Sequence, residues 1–284
     1  MKSGFVTLVG RSNVGKSTLL NALVGSKVAI VTPKPQTTRH PVRGILHDPR
    51  GQIVFVDTPG VFLGRKDRVS KVLNELVAEA LDGVDAIVYV MDPSREPGPE
   101  EEHIRRMLRA SRLPKIAVIN KSDLPAVERR FEEICQAADI GQSDTLTVSA
   151  RRRTNLNRLV DALFALMPES EPHYPELQLT DLSHNQWLEE LIREKVFLKL
   201  DQEIPYSIKI SLDDLETRPD GSRYIRATVW TTEERYKKII IGARASKIKE
   251  IGMAARKEIE AVTGIKVFLE LRVKVDPKWQ ERFA

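Results

Sequence analysis

GRSNVGKS, residues Gly10–Ser17, follows an apolar run at Phe5–Val9 and opens a helical pattern at Lys16–Val24. A strand, a glycine-bounded loop and a helix in that order are what a phosphate-binding loop requires. Gly10 and Gly15 let the loop curl with its N–H groups pointing inward, an anion nest at a helix N-terminus. Lys16 is expected to reach the β- and γ-phosphates of a nucleotide, and the Ser17 hydroxyl to bind Mg²⁺. Arg11, Ser12, Asn13, Val14 and Thr18 complete the expected phosphate cradle. Taken alone, the pattern fits any P-loop ATPase or kinase.

Working outward, DTPG (Asp57–Gly60), NKSD (Asn120–Asp123) and SA (Ser149–Ala150) each follow a short apolar run. Asp57 ends a strand and is expected to hold Mg²⁺ through a water. Thr58 and Pro59 shape the turn, and the Gly60 N–H then faces the γ-phosphate. The Asp123 carboxylate can accept from the N1–H and 2-amino group of guanine, whereas adenine offers no donor there. Asn120 shares that specificity, Lys121 is expected to cover the base, and Ser149–Ala150 to close over it with the Ala150 N–H meeting the base carbonyl. The four motifs in this order point to GTP. The polar, helix-poor PKPQTTRH (Pro33–His40) reads as a mobile segment, with Thr38 as the Mg²⁺ ligand that orders it and Thr37 as competitor.

Expected catalytic residues are Lys16, Thr38, Gly60 and Asn13. Ras-like GTPases carry a water-orienting Gln immediately after the DTxG motif; here that position is Val61, so intrinsic turnover is expected to be slow. The Asn13 amide oxygen could hold a K⁺ ion beside the phosphates. The alternative is that Asn13 only fixes loop geometry.

Strand-like runs at Phe5–Val9, Ile53–Val56, Ala86–Met91, Ile116–Ile119 and Leu146–Val148 alternate with helical patterns near Lys16–Val24, Ser70–Leu81, Glu100–Ala110, Val127–Ala138 and Leu156–Leu166. This alternation predicts an α/β fold: a mostly parallel sheet covered by helices on both faces, with ligands bound at the strand ends. Met167–Asn185 carries three prolines without clear period and reads as a linker. Beyond it the pattern is helix (Gln186–Leu200), two strands (Tyr206–Leu212, Tyr224–Trp230), a short helix (Glu233–Ile240), the turn GARA (Gly242–Ala245), a longer helix (Ser246–Val262) and a strand (Ile265–Val275).

The 284 residues, 41% hydrophobic and 30% charged, suffice for two domains with buried cores. No apolar run approaches a membrane span, and MKSGFVTLVG reads as a strand entering a loop rather than a signal peptide. The lone Cys135 can form no internal disulfide, which suits a reducing cytosol, and the chain is expected to be a cytoplasmic monomer. Net charge is only +5, but Arg235–Lys257 holds eight Lys/Arg against a single Glu. Such a stretch suits nucleic acid or anionic lipid, and peripheral contact with the inner face of the cell membrane stays open.

GRSNVGKSTLLNALVG, QTTRH, DTPG, NKSD, HYPE with the following TD, REKVF, EIPYSIKI and IIIGARASKIKEIGMAARKEIE resemble the Era family of bacterial GTPases. The likeness runs from end to end. It implies a Ras-like P-loop GTPase domain at 1–167, a linker at 168–184 and an α+β type II KH domain at 185–284. It also implies a GTPase using GTP or GDP with Mg²⁺, binding the 3′ end of 16S ribosomal RNA and assisting maturation of the pre-30S subunit. A KH domain clamps about four nucleotides, its GXXG loop gripping their backbone. Gly242, Ala243, Arg244 and Ala245 would be that loop, with Lys247 and Lys249 adding charge. Ala245 departs from the usual glycine, and its methyl is expected to hinder either the RNA backbone or a left-handed conformation. Ile248 and Ile251 are expected to face the core. Two other readings remain: an RNA chaperone that holds GTP as a structural ligand, and a peripheral membrane regulator.

Overall fold

The computed structural model describes residues 1–61, 63, 68–125 and 145–282; the helix expected at Val127–Ala138 lies outside them. The chain divides into two compact units, Met1–Asp181 and Leu182–Ala284.

The first unit is built on six strands: β1 (Lys2–Val9), β2 (Val42–Asp48), β3 (Gly51–Asp57), β4 (Ala86–Met91), β5 (Lys115–Ile119) and β6 (Thr145–Thr147), in the order β2-β3-β1-β4-β5-β6. All pairings are parallel except β2 with β3. β3 and β4 are buried at every position, as strands covered on both faces must be. Helices α1 (Lys16–Val24), α2 (Arg68–Glu79), α3 (Pro99–Ala110) and α4 (Leu156–Leu166) supply the cover. Val77, Ile104 and Leu108 join Ile87, Tyr89, Ala117 and Ile119 in one core cluster. α1 lies on β2 and β3.

Strand β2 has no counterpart among the sequence expectations, because Gly44 interrupts its alternation. The glycine is needed there: a Cβ would stand 2.5 Å from Leu20 Cδ1, so α1 and β2 could not approach. The segment read as a linker is a strap on the first unit as far as Asp181. Ser3 N–H donates to Pro168 O and Ile45 N–H to Leu179 O, both at 3.0 Å. The Gln52 side chain accepts from the N–H groups of His173 and Tyr174 and donates to Tyr174 O. Isolated bridges at Lys2–Glu169 and Gly44–Thr180 tie it to β1 and β2, with bends and turns between them.

The second unit follows the expected order. α5 (His184–Lys199) starts at a capping box in which Ser183 and Gln186 satisfy each other's backbone N–H. Strands β7 (Ile208–Thr217), β8 (Arg223–Thr231) and β9 (Val267–Val275) make a sheet in that order, antiparallel then parallel. Helices α6 (Glu234–Ile241) and α7 (Ser246–Thr263) lie between β8 and β9 in sequence. β7 runs beyond Leu212 through a bulge, where Glu189 accepts the Leu212 N–H at 2.7 Å. Ile192, Val196, Phe197, Val229, Ile240 and Ile251 form its core. Among the described residues no helix is long and apolar enough to cross a membrane.

Candidate functional site

At the ends of β1, β3 and β5 the motif loops meet around a cleft of about 550 Å³. Gly15 has φ +101°, and a Cβ on it would stand 2.4 Å from Asn120 Nδ2. Gly10 instead needs room: a Cβ would lie 2.4 Å from Val90 O. The two glycines thus curl the loop and let β4 and the 120–123 loop approach it. Ser12, Asn13, Gly15, Lys16, Ser17 and Thr18 line the cleft.

Ser17 Oγ donates to Asp57 Oδ2 at 2.6 Å and lies 3.1 Å from Thr38 Oγ1, which is itself 3.3 Å from Asp57 Oδ2. Asp57 is fully buried, and its other oxygen, Oδ1, is buried with no hydrogen-bond partner. Burial raises its pKa, against the pull of Lys16, Ser17 and Thr38. Three oxygen ligands with an unsatisfied carboxylate oxygen fit a hard divalent cation such as Mg²⁺. Thr37 is directed elsewhere, paired with Thr32 Oγ1 at 2.6 Å and donating to Lys34 O at 2.7 Å. Lys16 is buried, its Nζ on Gly10 O and Arg11 O at 3.0 and 3.1 Å, and burial lowers its pKa to about 8, the Asp57 charge opposing.

Asn120 does not face outward. Its Nδ2 donates to Val14 O at 3.0 Å and its Oδ1 accepts the Ala150 N–H at 3.1 Å. It ties the phosphate loop to the 149–150 turn, and the Ala150 N–H, expected to meet a base, is engaged by it. Lys121 Nζ bridges Asn13 O (3.1 Å) and Asp92 Oδ2 (2.5 Å). Burial opposes ionisation of Asp92, but Lys121 and Ser94 hold its carboxyl below the usual range. Asp123 Oδ1 accepts from Ser149 Oγ at 2.6 Å, a bond that lowers its pKa and fixes the carboxylate's orientation.

Several expected contact residues have other positions. The Arg11 side chain turns to α3, on Glu100 and Glu101 at 2.8 Å each. Val14 is buried, and Thr58 Oγ1 donates to Leu8 O at 2.8 Å, bracing β1. Gly60 backs onto the phosphate loop so tightly that a Cβ would lie 2.5 Å from Ser12 Cα, and Pro59 before it is buried. Within Pro33–His40, Gln36, Thr37, Thr38 and Arg39 are buried, whereas Pro33 and His40 are exposed. Asn13 Nδ2 donates to Pro33 O at 2.6 Å, a loop-fixing contact that leaves Oδ1 as the amide's acceptor. Gln36, Arg95 and Arg151 also line the cleft; Gln36 opens the QTTRH stretch but its spacing suggested no role, and Arg95 and Arg151 belong to no motif.

In the second unit the turn after α6 has Gly242 at φ +73°, where a Cβ would meet Lys247 Cβ at 2.8 Å. Arg244 and Ala245 follow at φ +49° and +60°. The methyl therefore does not forbid the left-handed conformation; it strains it. Beside this turn, α7 and β9 flank a groove of about 550 Å³. Ile248, Lys249, Met253 and Arg256 form one wall and Phe268 to Leu271 the other. Ile251 is in the core as expected, and Ile248, partly buried, packs against that core and also reaches the groove. Arg218 lies 4.4 Å over the Phe268 ring and Lys266 5.3 Å from it, a cation–aromatic cluster that sequence spacing did not mark.

Comparison with known proteins agrees with this division. The family described as "50S ribosome-binding GTPase" matches residues 5–121, and "KH domain" matches residues 203–280. "GTPase Era" of Heliobacterium modesticaldum is 41% identical over 283 residues, covering 99% of this chain and 94% of its own length. The same-named protein of Halothermothrix orenii is 41% identical, covering 99% and 95%. A solved structure of Era with MgGDPNP and nucleotides 1506-1542 of 16S ribosomal RNA superposes with TM-score 0.92 at 36% identity, over 99% of this chain and 96% of that one. A point variant of Aquifex aeolicus Era bound to GDP.AlF4- gives TM-score 0.92 at 35% identity, with the same coverage of 99% and 96%.

Proposed function

This chain belongs to the Era family of GTPases, and we propose that it is a GTP-hydrolysing switch whose nucleotide state governs its hold on the 3′ end of 16S ribosomal RNA during maturation of the pre-30S subunit. The observation that carries the reading is the Ser17–Thr38–Asp57 cluster. Thr38 belongs to the segment that closes the cleft, so the metal position and the closing segment are mechanically joined. The solved relative that holds MgGDPNP together with 16S ribosomal RNA supports pairing the two activities. A cytoplasmic site of action fits this partner.

Ser17, Thr38 and Asp57 would hold Mg²⁺, which neutralises charge across the β- and γ-phosphates when bound. Loop N–H groups bind and orient the phosphates, and Lys16 adds its charge from below. Gly60 presents its N–H toward the γ-phosphate. Asp123, fixed by Ser149, reads the guanine edge, with Lys121 along the base and Asn120 holding both loops in register. Val61 is buried in the core, its N–H on Gly10 O and its carbonyl on Ser12 N–H. Its side chain cannot orient water, which favours slow intrinsic turnover and keeps the chaperone reading as a second possibility.

Lys16 makes binding pH-dependent. Its folded-state pKa of about 8 lies below the ordinary 10.5, and a docked polyphosphate restores the charge. Between those values nucleotide binding draws a proton onto Lys16, so affinity is flat below pH about 8 and falls as pH rises above it. Unliganded stability moves the opposite way, rising across the same window, because the unfolded state binds more protons there. Calorimetry in buffers of different ionisation heat is expected to show proton uptake at pH about 9 and none near 7; equal uptake at both would contradict the assignment.

On the RNA side, bases would stack near Phe268 while Arg244, Lys247 and Lys249 hold phosphates. Ala245→Gly removes a left-handed alanine whose cost is about 1 kcal/mol. It is expected to leave affinity for a single-stranded RNA equal or tighter and to raise thermal stability. A marked loss of RNA binding would show that this turn is not the backbone clamp.

A further inference from the structure

With Val61 locked in the core, water positioning needs another amide, and we infer that Gln36 supplies it. This rests on the GTPase reading above and names the residue that serves its hydrolytic step. Gln36 lines the same cleft as Lys16, Ser17, Thr38 and Gly60. It is 5% exposed, an unusual burial for glutamine, and holds a left-handed backbone at φ +55°. Strain of this kind persists only where surrounding structure enforces it, and it concentrates at functional positions. The enforcing contact is visible: Nε2 donates to Ser70 Oγ of α2 at 2.6 Å, and Ser70 is itself buried. With the nitrogen fixed on Ser70, the amide is oriented and Oε1 is its acceptor end. Among the described residues Oε1 accepts no hydrogen bond, and the residue lines the cleft.

An acceptor held there suits one task. Water attacks the γ-phosphorus, the bond from phosphorus to the β,γ-bridging oxygen breaks, and its electron pair leaves on GDP. Gln36 Oε1 accepts a hydrogen bond from the attacking water and aims its lone pair; the water's proton ends on the released phosphate. The glutamine is thus delivered by the closing segment rather than by the turn after Gly60, and the amide reaches its place only when that segment closes. Ser70 is the positioning residue that fixes it.

The test is single-turnover cleavage of GTP by the full chain, alongside affinity for GDP and a non-hydrolysable GTP analogue. Gln36→Met keeps the buried volume and removes both amide atoms, so it carries the test if Gln36→Ala fails to fold. Gln36→Met is expected to slow cleavage about 100-fold with analogue affinity nearly unchanged, and Ser70→Ala to lose less. Cleavage at the wild-type rate in Gln36→Met would overturn the inference. So would a loss of analogue affinity matching the loss of rate, since Gln36 would then only hold the segment closed. If the wild-type chain itself failed to cleave GTP, the GTPase reading would fall instead.

Discussion

Asp123→Ala is expected to weaken GTP binding by about 10⁴-fold and to abolish the preference for GTP over ATP. The reasoning begins with Ser149, whose hydroxyl holds one Asp123 oxygen at 2.6 Å and lowers the carboxyl's pKa. The group is therefore a fixed, ionised acceptor at neutral pH. Guanine's N1–H and 2-amino group are donors that water satisfies before binding. Removing the carboxylate leaves both unpaired in the bound state, whereas ATP loses nothing because it has no donors there. Competition between the two nucleotides for the purified variant measures the effect. Retention of GTP selectivity within about tenfold, some 1.4 kcal/mol, would mean that another residue reads the base.

Ser17→Ala is expected to remove the dependence of nucleotide affinity on Mg²⁺ and to lower the hydrolysis rate about 10³-fold. Ser17 is the donor that holds Asp57 Oδ2, and with Thr38 it completes the oxygen set around the carboxylate. Its loss leaves the buried Asp57, already reluctant to ionise because of burial, with only Thr38 on Oδ2 and no partner on Oδ1. Mg²⁺ held by Ser17, Thr38 and Asp57 would stabilise developing charge by several kcal/mol, and three orders of magnitude is about 4 kcal/mol. Nucleotide affinity measured with Mg²⁺ and with a chelator should coincide in the variant and differ in the parent chain. A full Mg²⁺ effect in Ser17→Ala would place the metal elsewhere.

The nucleotide site was legible in sequence wherever a backbone constraint or a single chemical role demanded a residue type. Gly15 must reach φ +101°, and Ser17 must offer a hydroxyl beside Asp57, so their spacing is rigid and readable. Of the two threonines, Thr38 lies 3.1 Å from Ser17 Oγ, whereas Thr37 pairs with Thr32 and Lys34. What sequence could not convey is tertiary use of ordinary residues. Arg11 belongs to the phosphate loop by position, yet its side chain is claimed by Glu100 and Glu101 on a distant helix. Gln36 opens the QTTRH stretch, but nothing local marks its role, because its partner is Ser70 on another element. Strand β2 escaped because Gly44 serves the approach of α1 rather than the strand's own alternation. The strap along β1 and β2 escaped for a related reason: its hydrogen bonds are made with distant strands, while its prolines describe only its local conformation. In the second unit the order of elements was readable, but the groove depends on α7 and β9 facing each other across residues without common spacing.

The central claim is that nucleotide state controls RNA binding. The measurement that tests it most directly is the affinity of the full chain for a single-stranded RNA matching the small-subunit 3′ end, first with a non-hydrolysable GTP analogue and Mg²⁺, then with GDP. The account predicts tighter binding with the analogue. Equal affinity in both states would contradict the switch and leave a chaperone that holds GTP as a structural ligand.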